Sequence, residues 1–207
     1  MTTLLTHPAL AQLLQRRNAC PTEVHAIDAQ IQAMMKRYAV MNLDMSGFSR
    51  LTIQHGITHF LAMIQRLVGI VTPIVNGQQG SVFKQEADNV FAVFPTVLQA
   101  VDASMEILDA LAIANQSLPS SQALYASMGI GYGDLIPIFR EDVLCDVFGN
   151  EMNLSSKLGE DLADPSEVLL TESAHQQIQS PTYTFDPRTV TISKVDLVTY
   201  RVSRTVS

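Results

Sequence analysis

Cysteine and positive charge are both scarce in this 207-residue sequence. It contains two cysteines, Cys20 and Cys145, and 13 lysines and arginines against 20 aspartates and glutamates, for a formal net charge of −7. Two cysteines give no metal-ligand spacing and at most one disulfide, so free thiols in a reducing compartment are expected. The negative charge argues against nucleic acid or an anionic membrane as the main partner, because both reward clustered lysine and arginine. An anionic ligand therefore needs a local cationic site or a metal ion.

Long hydrophobic runs are also missing. The longest apolar stretches, such as residues 67–75, are interrupted and too short to span a bilayer. Near the N-terminus Arg16 and Arg17 follow the apolar residues, which is the reverse of the order in a signal peptide, so we expect a cytoplasmic protein. Apolar residues make up 47% of the sequence, and its length fits one domain that buries a substantial core.

The order of the predicted elements indicates an α+β fold. Helices over residues 7–18 and from Thr22 to about Arg37 form an N-terminal leader, residues 1–37. This leader is either a packing or dimerisation element or a helical segment folded onto its own domain. Residues 38–207 then follow the order strand, helix, strand, strand, helix, strand, with further strands after it. This order predicts a ferredoxin-like βαββαβ sandwich with extra C-terminal strands, its sheet covered by helices on one face.

Several boundaries inside this domain depend on proline and glycine. A long helix opens after Gly47, and Pro73 is expected to end its regular part near Ile70. Residues 86–89 form a tight hairpin turn between two strands. A glycine-marked turn following Gly131 divides the next strand region into two strands, the second of which reaches Asp146.

Two aspartates occupy positions where they can meet at one edge of the sheet. Asp44 follows the buried strand of residues 38–43, and Asp88 lies in the hairpin turn. Paired carboxylates with open coordination positions suit Mg²⁺, which binds through one or two protein carboxylates plus substrate phosphates. Taken singly, either aspartate is better explained as a turn former.

The segment from Cys145 to Leu158 combines an acid, a turn glycine, a carboxamide and a cation at fixed offsets. If a helix begins near Gly149, Asn153 and Lys157 are four residues apart and project from one helical face. Asp146 lies just before that helix, so the three side chains could converge on one ligand. Asp and Asn before an apolar run also suit a solvated helix entrance, and the segment by itself does not decide between the two.

Three segments in this order, residues 44–49, 84–88 and 145–158, resemble the catalytic domain of the class III nucleotidyl cyclases, the adenylate and guanylate cyclases. The resemblance runs from about Tyr38 to Val202 and is strongest to a bacterial-type adenylate cyclase. It implies that Asp44, Asp88 and the backbone carbonyl of Met45 hold two Mg²⁺ or Mn²⁺ ions. It also implies roles for five further residues: Lys84 and Asp146 read the purine, Asn153 orients the ribose, Lys157 stabilises the transition state, and Lys194 binds phosphate.

The function implied by this resemblance is conversion of ATP into 3′,5′-cyclic AMP and pyrophosphate. An ammonium and a carboxylate complement the N1 acceptor and 6-amino donor of adenine, which favours ATP over GTP. In the family the metal-binding and base-reading residues of one site come from two chains, so a homodimer is expected. The alternatives are a catalytically silent cyclase-like domain that binds nucleotide or a partner, and a cyclase that uses GTP, CTP or UTP.

Three residues depart from the family pattern or extend it. Lys157 stands where the family usually has arginine and lacks the planar fork that grips two phosphate oxygens. Ala87 replaces a glycine, which is costly if the backbone there needs a positive φ; the turn could instead shift onto Asn89. Glu86 is interpreted as a solvent-facing acid or a structural neighbour of Lys84.

Overall fold

An eight-stranded sheet organises the chain. The computed structural model describes residues 8–192 and 194–205, without the side chains of residues 48–51. The strands are β1 Lys36–Met45, β2 Ser81–Glu86, β3 Asn89–Phe94, β4 Ala126–Arg140, β5 Val143–Phe148, β6 Val168–Thr171, β7 Tyr183–Ile192 and β8 Val195–Arg204. Along the sheet they run β2-β3-β1-β4-β6-β8-β7, and β5 pairs with β4 outside this path.

Helices connect these strands. They are α1 Pro8–Ala19, α2 Val24–Gln32, α3 Phe48–His55, α4 Ile57–Gly77, α5 Val97–Asn115, α6 Asn150–Lys157 and α7 Glu172–His175. A π-helical turn, Leu158–Leu162, continues from α6. The order β2-β3-β1-β4, with α3 and α4 before β2 and α5 before β4, confirms the predicted ferredoxin-like βαββαβ core. The hairpin of β7 and β8, joined through β6, supplies the predicted additional strands.

The main core lies between the sheet and the two long helices, α4 and α5. Alternate residues of β1, namely Ala39, Met41 and Leu43, are 0% exposed in this core, as their two-residue period requires. Val40 points to the other face, where it packs in a cluster with Met152 of α6. The expectation of helices on one face is therefore wrong for α6, which covers the face opposite α4 and α5.

A row of glycines in β4 explains how α6 approaches the sheet so closely. A β-carbon at Gly131 would lie 2.6 Å from the carbonyl oxygen of Glu151, and one at Gly133 would lie 2.8 Å from the Glu151 side chain. The predicted glycine-marked turn is wrong, because these glycines continue one strand through to Arg140. The turn is formed instead by Glu141 and Asp142, whose φ angles are +49° and +64°.

Pro73 does not end α4, contrary to the expectation from sequence. The helix continues to Gly77 with Pro73 on its exposed side. The carbonyl that loses its hydrogen bond there belongs to Gly69, which is also exposed, so water can satisfy it. The break occurs earlier, at Gly56, whose φ of +81° separates α3 from α4.

Among the residues that the structure describes, helix α4 is the one that is long and apolar enough to cross a membrane by length and composition alone. Six of its side chains nevertheless pack in the core, which is typical of a helix that covers a sheet: Phe60, Met63, Ile64, Leu67, Val71 and Val75. A buried core helix meets the same criterion of length and composition.

The leader helices pack on their own chain. Leu10 of α1 and Ile27 and Ile31 of α2 form one buried cluster with Ile138 of β4. The second helix is shorter than expected: it ends at Gln32, and β1 already begins at Lys36. Thr22 lies in a 3₁₀ turn, and the helix is preceded by Glu23 without a side-chain cap. Division of the chain at residue 37 remains a prediction, although the contacts agree with a leader folded onto its own domain.

Candidate active site

Strand pairing brings Asp44 and the turn that carries Asp88 together. Asp44 is the penultimate residue of β1 and lies opposite Asn89, the first residue of β3. The backbone N–H of Met45 donates to the carbonyl oxygen of Asp88 at 3.3 Å. The predicted meeting of the two aspartates at one sheet edge therefore matches the geometry, with Asp44 inside the strand rather than after it.

The two carboxylates lie in an acidic, partly buried setting. Burial raises the pKa of Asp44 to about 7, with further contributions from the negative charges of Asp88, Glu160 and Asp161. Burial also raises the pKa of Asp88, whose residue is 9% exposed. Burial is the main cause of both shifts, and no protein cation is among the causes that offset it.

The donor set fits a hydrated divalent cation better than a cage made of protein ligands. In residues 8–192 and 194–205 no group of three or more His, Cys, Asp or Glu side chains is arranged to hold a metal. Two aspartates, with a backbone carbonyl beside them, leave coordination positions open, and Mg²⁺ usually fills such positions with water and substrate phosphate. Asp44, Asp88 and the Met45 carbonyl are thus suited to Mg²⁺ or Mn²⁺.

Lys84 and Asp146 form the second pair. The Nζ atom of Lys84 lies 3.5 Å from Oδ2 of Asp146, although 62 residues separate them in sequence. The other oxygen, Oδ1, accepts from the backbone N–H of Val147 at 2.9 Å, which fixes the orientation of the carboxylate. Asp146 is 4% exposed, whereas the Lys84 side chain retains 26% exposure. Burial lowers the pKa of Lys84, but the ion pairs with Glu86 and Asp146 outweigh it and the net shift is upward.

Helix α6 begins where the sequence indicates, with Gly149 as its N-cap residue. It carries Asn153 and Lys157 one turn apart, both exposed. Lys157 donates to Asp161 at 2.7 Å, an ion pair whose two side chains are each 53% exposed. Solvent screening makes such a surface pair weak, so Lys157 can exchange Asp161 for another anion.

The C-terminal hairpin borders the cleft beside Lys157. Thr191 and Ile192 of β7 line this cleft together with Lys157 and Asp161. Lys194 follows in the turn between β7 and β8, exposed and with φ of +69°. The hairpin thus lies near α6, as a phosphate-binding role for Lys194 requires, but that role remains a prediction.

The residue before Asp88 adopts the positive φ that is costly for alanine. Ala87 itself has φ of +50°, and the suggested shift of the turn onto Asn89 is wrong, since Asn89 already belongs to β3. Glu86 lies 3.0 Å from the Lys84 ammonium and its side chain is 62% exposed. It is therefore both solvent-facing and a neighbour of Lys84.

Two acids near the site were missed from the sequence. The Glu151 carboxylate accepts from the backbone N–H of Tyr132 and from the hydroxyls of Thr171 and Ser173, at 2.7 to 3.2 Å, and so fastens α6 to the sheet. Glu160 accepts from the fully buried Asn42 at 2.8 Å and adds to the negative field at Asp44. Neither belongs to a local pattern, because their partners are distant in sequence.

Comparison with known proteins shows a partial match to one curated protein. No protein-family model matches the chain. A curated protein of Rhizobium meliloti (strain 1021), named "Putative adenylate cyclase 3", is 30% identical over 144 residues, which is 70% of this chain. That stretch is 24% of the curated protein, so the chain spans about a quarter of its length.

Solved structures show the same fold. The guanylyl cyclase Cya2 superposes with a TM-score of 0.72 at 18% identity, covering 83% of this chain and 94% of that one. The adenylyl cyclase CyaB from P. aeruginosa gives a TM-score of 0.67 at 16% identity, with 83% and 97% of the two chains covered. The resemblance that the three motifs indicate is thus confirmed, and the chain has the fold of the class III nucleotidyl cyclase catalytic domain.

Proposed function

We propose that this domain is an adenylate cyclase, which converts ATP into 3′,5′-cyclic AMP and pyrophosphate in the cytoplasm. The observation that carries the proposal is the pairing of the Lys84 ammonium with the oriented, buried carboxylate of Asp146 at 3.5 Å. Cyclase domains of one fold act on different bases, so the groups that meet the base decide the substrate.

Adenine presents an acceptor at N1 and a donor at the 6-amino group. The Lys84 ammonium can donate to N1, while Oδ2 of Asp146 can accept from the amino group. Guanine presents a donor at N1 and an acceptor at O6, so it would place donor against donor and acceptor against acceptor. A site that leaves buried polar groups unpaired discriminates strongly, which supports a preference for ATP.

The acidic pair suits the triphosphate end of the substrate. Asp44 and Asp88, with the Met45 carbonyl, would hold Mg²⁺ or Mn²⁺, which lowers the pKa of the ribose 3′-hydroxyl and neutralises the charge of the leaving pyrophosphate. Asn153 would orient the ribose through its amide. Lys157 would release Asp161 and place its charge on the phosphoryl oxygens, and Lys194 would bind the phosphates from the hairpin.

A homodimer would complete the sites by combining groups from two chains. Exposed apolar residues occur in the helices that follow the strand carrying Asp44: Ile53 of α3 and Ile57 and Leu61 of α4 are 85%, 57% and 56% exposed. Groups of exposed aliphatic residues are typical of protein interfaces. They support an interface that involves α3 and α4, in agreement with the homodimer implied by the family resemblance.

One specific contact favours the alternative of a catalytically silent nucleotide-binding domain. Lys157 is paired with Asp161 within its own chain, and an ammonium lacks the bidentate grip of a guanidinium. A further alternative keeps the reaction but changes the base, since several neighbours of the same fold are named guanylyl cyclases.

A nucleotide panel tests these three functions together. Purified protein is incubated with ATP, GTP, CTP or UTP in the presence of Mg²⁺ or Mn²⁺, and the cyclic products and nucleotide binding are measured. The proposal predicts cyclic AMP as the main product. Nucleotide binding without any product would support the silent domain, and a different main cyclic nucleotide would overturn the assigned base.

A further inference from the structure

The leader helices pack on the strand that carries Asp146. We define the β4–β5 arm as residues 136–148, the end of β4 together with its hairpin partner β5. Three arm residues contact the leader cluster besides the fully buried Ile138: Ile136, Cys145 and Phe148. Cys145 immediately precedes Asp146. The cross-strand partner of Asp146 in β4 is Ile138.

Strand β5 is held between two apolar clusters. Val147 and Leu144 pack towards the sheet with Phe83 and Phe91, which flank Lys84 in β2 and β3. Cys145 and Phe148 pack towards the leader. One side of β5 thus packs with Phe83 and Phe91, and the other side packs with the leader cluster.

The backbone of the arm is irregular next to Asp146. The ladder between β4 and β5 shifts its register between Ile138 and Phe139, so that Cys145 is an extra residue on β5. The Cys145 thiol donates to the carbonyl oxygen of Ile138 at 3.3 Å across this bulge. A bulge locally disrupts the ladder, so side-chain packing adds to the restraints that hold Asp146 in place.

We propose that the leader is a specificity-determining element which positions Asp146 against Lys84. Ile27 and Ile31 act through Ile138 and Cys145, and they touch neither the acidic pair nor the base. Loosening the leader lets β5 move away from the sheet and lengthens the contact between Lys84 and Asp146. Recognition of adenine then weakens most, because Asp44 lies in β1 and Lys157 lies at the end of α6 that is remote from β5. This inference rests on the proposed role of the Lys84–Asp146 pair in reading the base.

The test compares the same substitution in the leader cluster and in the main core. Ile27→Val removes one methylene from the leader cluster, and Ile107→Val removes one from the core between the sheet and α5; both isoleucines are 0% exposed. Ile31→Ala is a stronger leader variant at a position that is 9% exposed. Thermal unfolding first establishes that each variant is folded.

Two readouts are then measured in the full chain. The first is amide hydrogen exchange in β5, together with the alkylation rate of Cys145 in a Cys20→Ser background, neither of which requires activity. The second is KM and kcat for ATP and for GTP. For Ile31→Ala we expect faster exchange and alkylation, and an ATP-over-GTP preference lowered about three-fold or more through KM, with kcat for ATP unchanged. Ile27→Val should shift both readouts in the same direction, and Ile107→Val should shift neither.

The outcomes separate this inference from the proposed function. Equal shifts in base preference from Ile27→Val and Ile107→Val would overturn it, as would unchanged exchange in β5 of Ile31→Ala. If the wild type formed no cyclic nucleotide, ATP binding replaces KM. Weaker ATP binding by the leader variants alone would then support the positioning role while the cyclase function fails.

Discussion

Replacing Ala87 by glycine should stabilise the protein. Ala87 has φ of +50° in the turn between β2 and β3, immediately before Asp88. Its side chain is exposed, so removing the methyl group costs no core packing. The hydrogen bond that its carbonyl accepts from the Gln85 amide, at 3.3 Å, involves only backbone on the Ala87 side and is retained.

The size of the effect follows from two opposing free energies. A left-handed backbone conformation costs a residue with a β-carbon about 1–2 kcal/mol. Glycine loses about 0.5–1 kcal/mol more conformational entropy on folding than alanine does. The middle of the two ranges leaves a net stabilisation of about 0.75 kcal/mol, which for a domain of this size raises Tm by about 2–3 °C.

Thermal and urea unfolding of the two proteins measure this gain. Ala123→Gly is the control, because Ala123 has φ of −61° and glycine should lower stability there. A Tm of Ala87→Gly equal to or below that of the wild type would refute the strain at this turn. Cyclase activity should be retained, since Asp88 keeps its place.

Three further predictions concern the site. Lys157→Arg should raise kcat several-fold, because a guanidinium can grip two phosphoryl oxygens; steady-state kinetics decide, and a fall in kcat would mean that the site is adapted to lysine. Asp146→Asn should lower the ATP-over-GTP ratio of kcat/KM about ten-fold or more, since the amide can present a donor to the adenine amino group, and an unchanged ratio would contradict the base-reading role. The metal-free protein should lose stability as pH rises from 3.8 to about 7, because native Asp44 binds its proton more tightly than the unfolded chain does. Added Mg²⁺ should reverse that loss, and Asp44→Asn should reduce the slope in pH-dependent melting, leaving the smaller contribution of Asp88.

Local patterns in the sequence were sufficient to predict the core of the fold. The buried strand before Asp44, the turn at Asp88 and the start of α6 near Gly149 each depend on a few neighbouring residues. The predicted element order therefore agrees with the observed βαββαβ core.

Features that depend on distant packing were not predictable in this way. Gly131 and Gly133 suggest a turn when considered locally, but they lie in β4 because α6 leaves no room for a side chain. Pro73 suggests a helix end, but the bond that it removes faces solvent beside Gly69. The positive φ of Ala87 follows from the hairpin geometry rather than from the preference of alanine.

In the site, too, some residues were predictable from local motifs and others were not. The aspartates and the Lys84–Asp146 pair were assigned from motifs, and the structure brings each pair together. The acids that surround them, Glu151 and Glu160, act through partners 19 and 118 residues away, which no local pattern reveals.

Formation of cyclic AMP by purified wild-type protein and by Asp44→Ala, measured side by side with ATP and Mn²⁺ or Mg²⁺, tests the central claim most directly. We predict product from the wild type and none above background from the variant, which lacks half of the acidic pair. Equal silence of both proteins with either metal, in protein shown to be folded, would contradict the assignment of this domain as an adenylate cyclase.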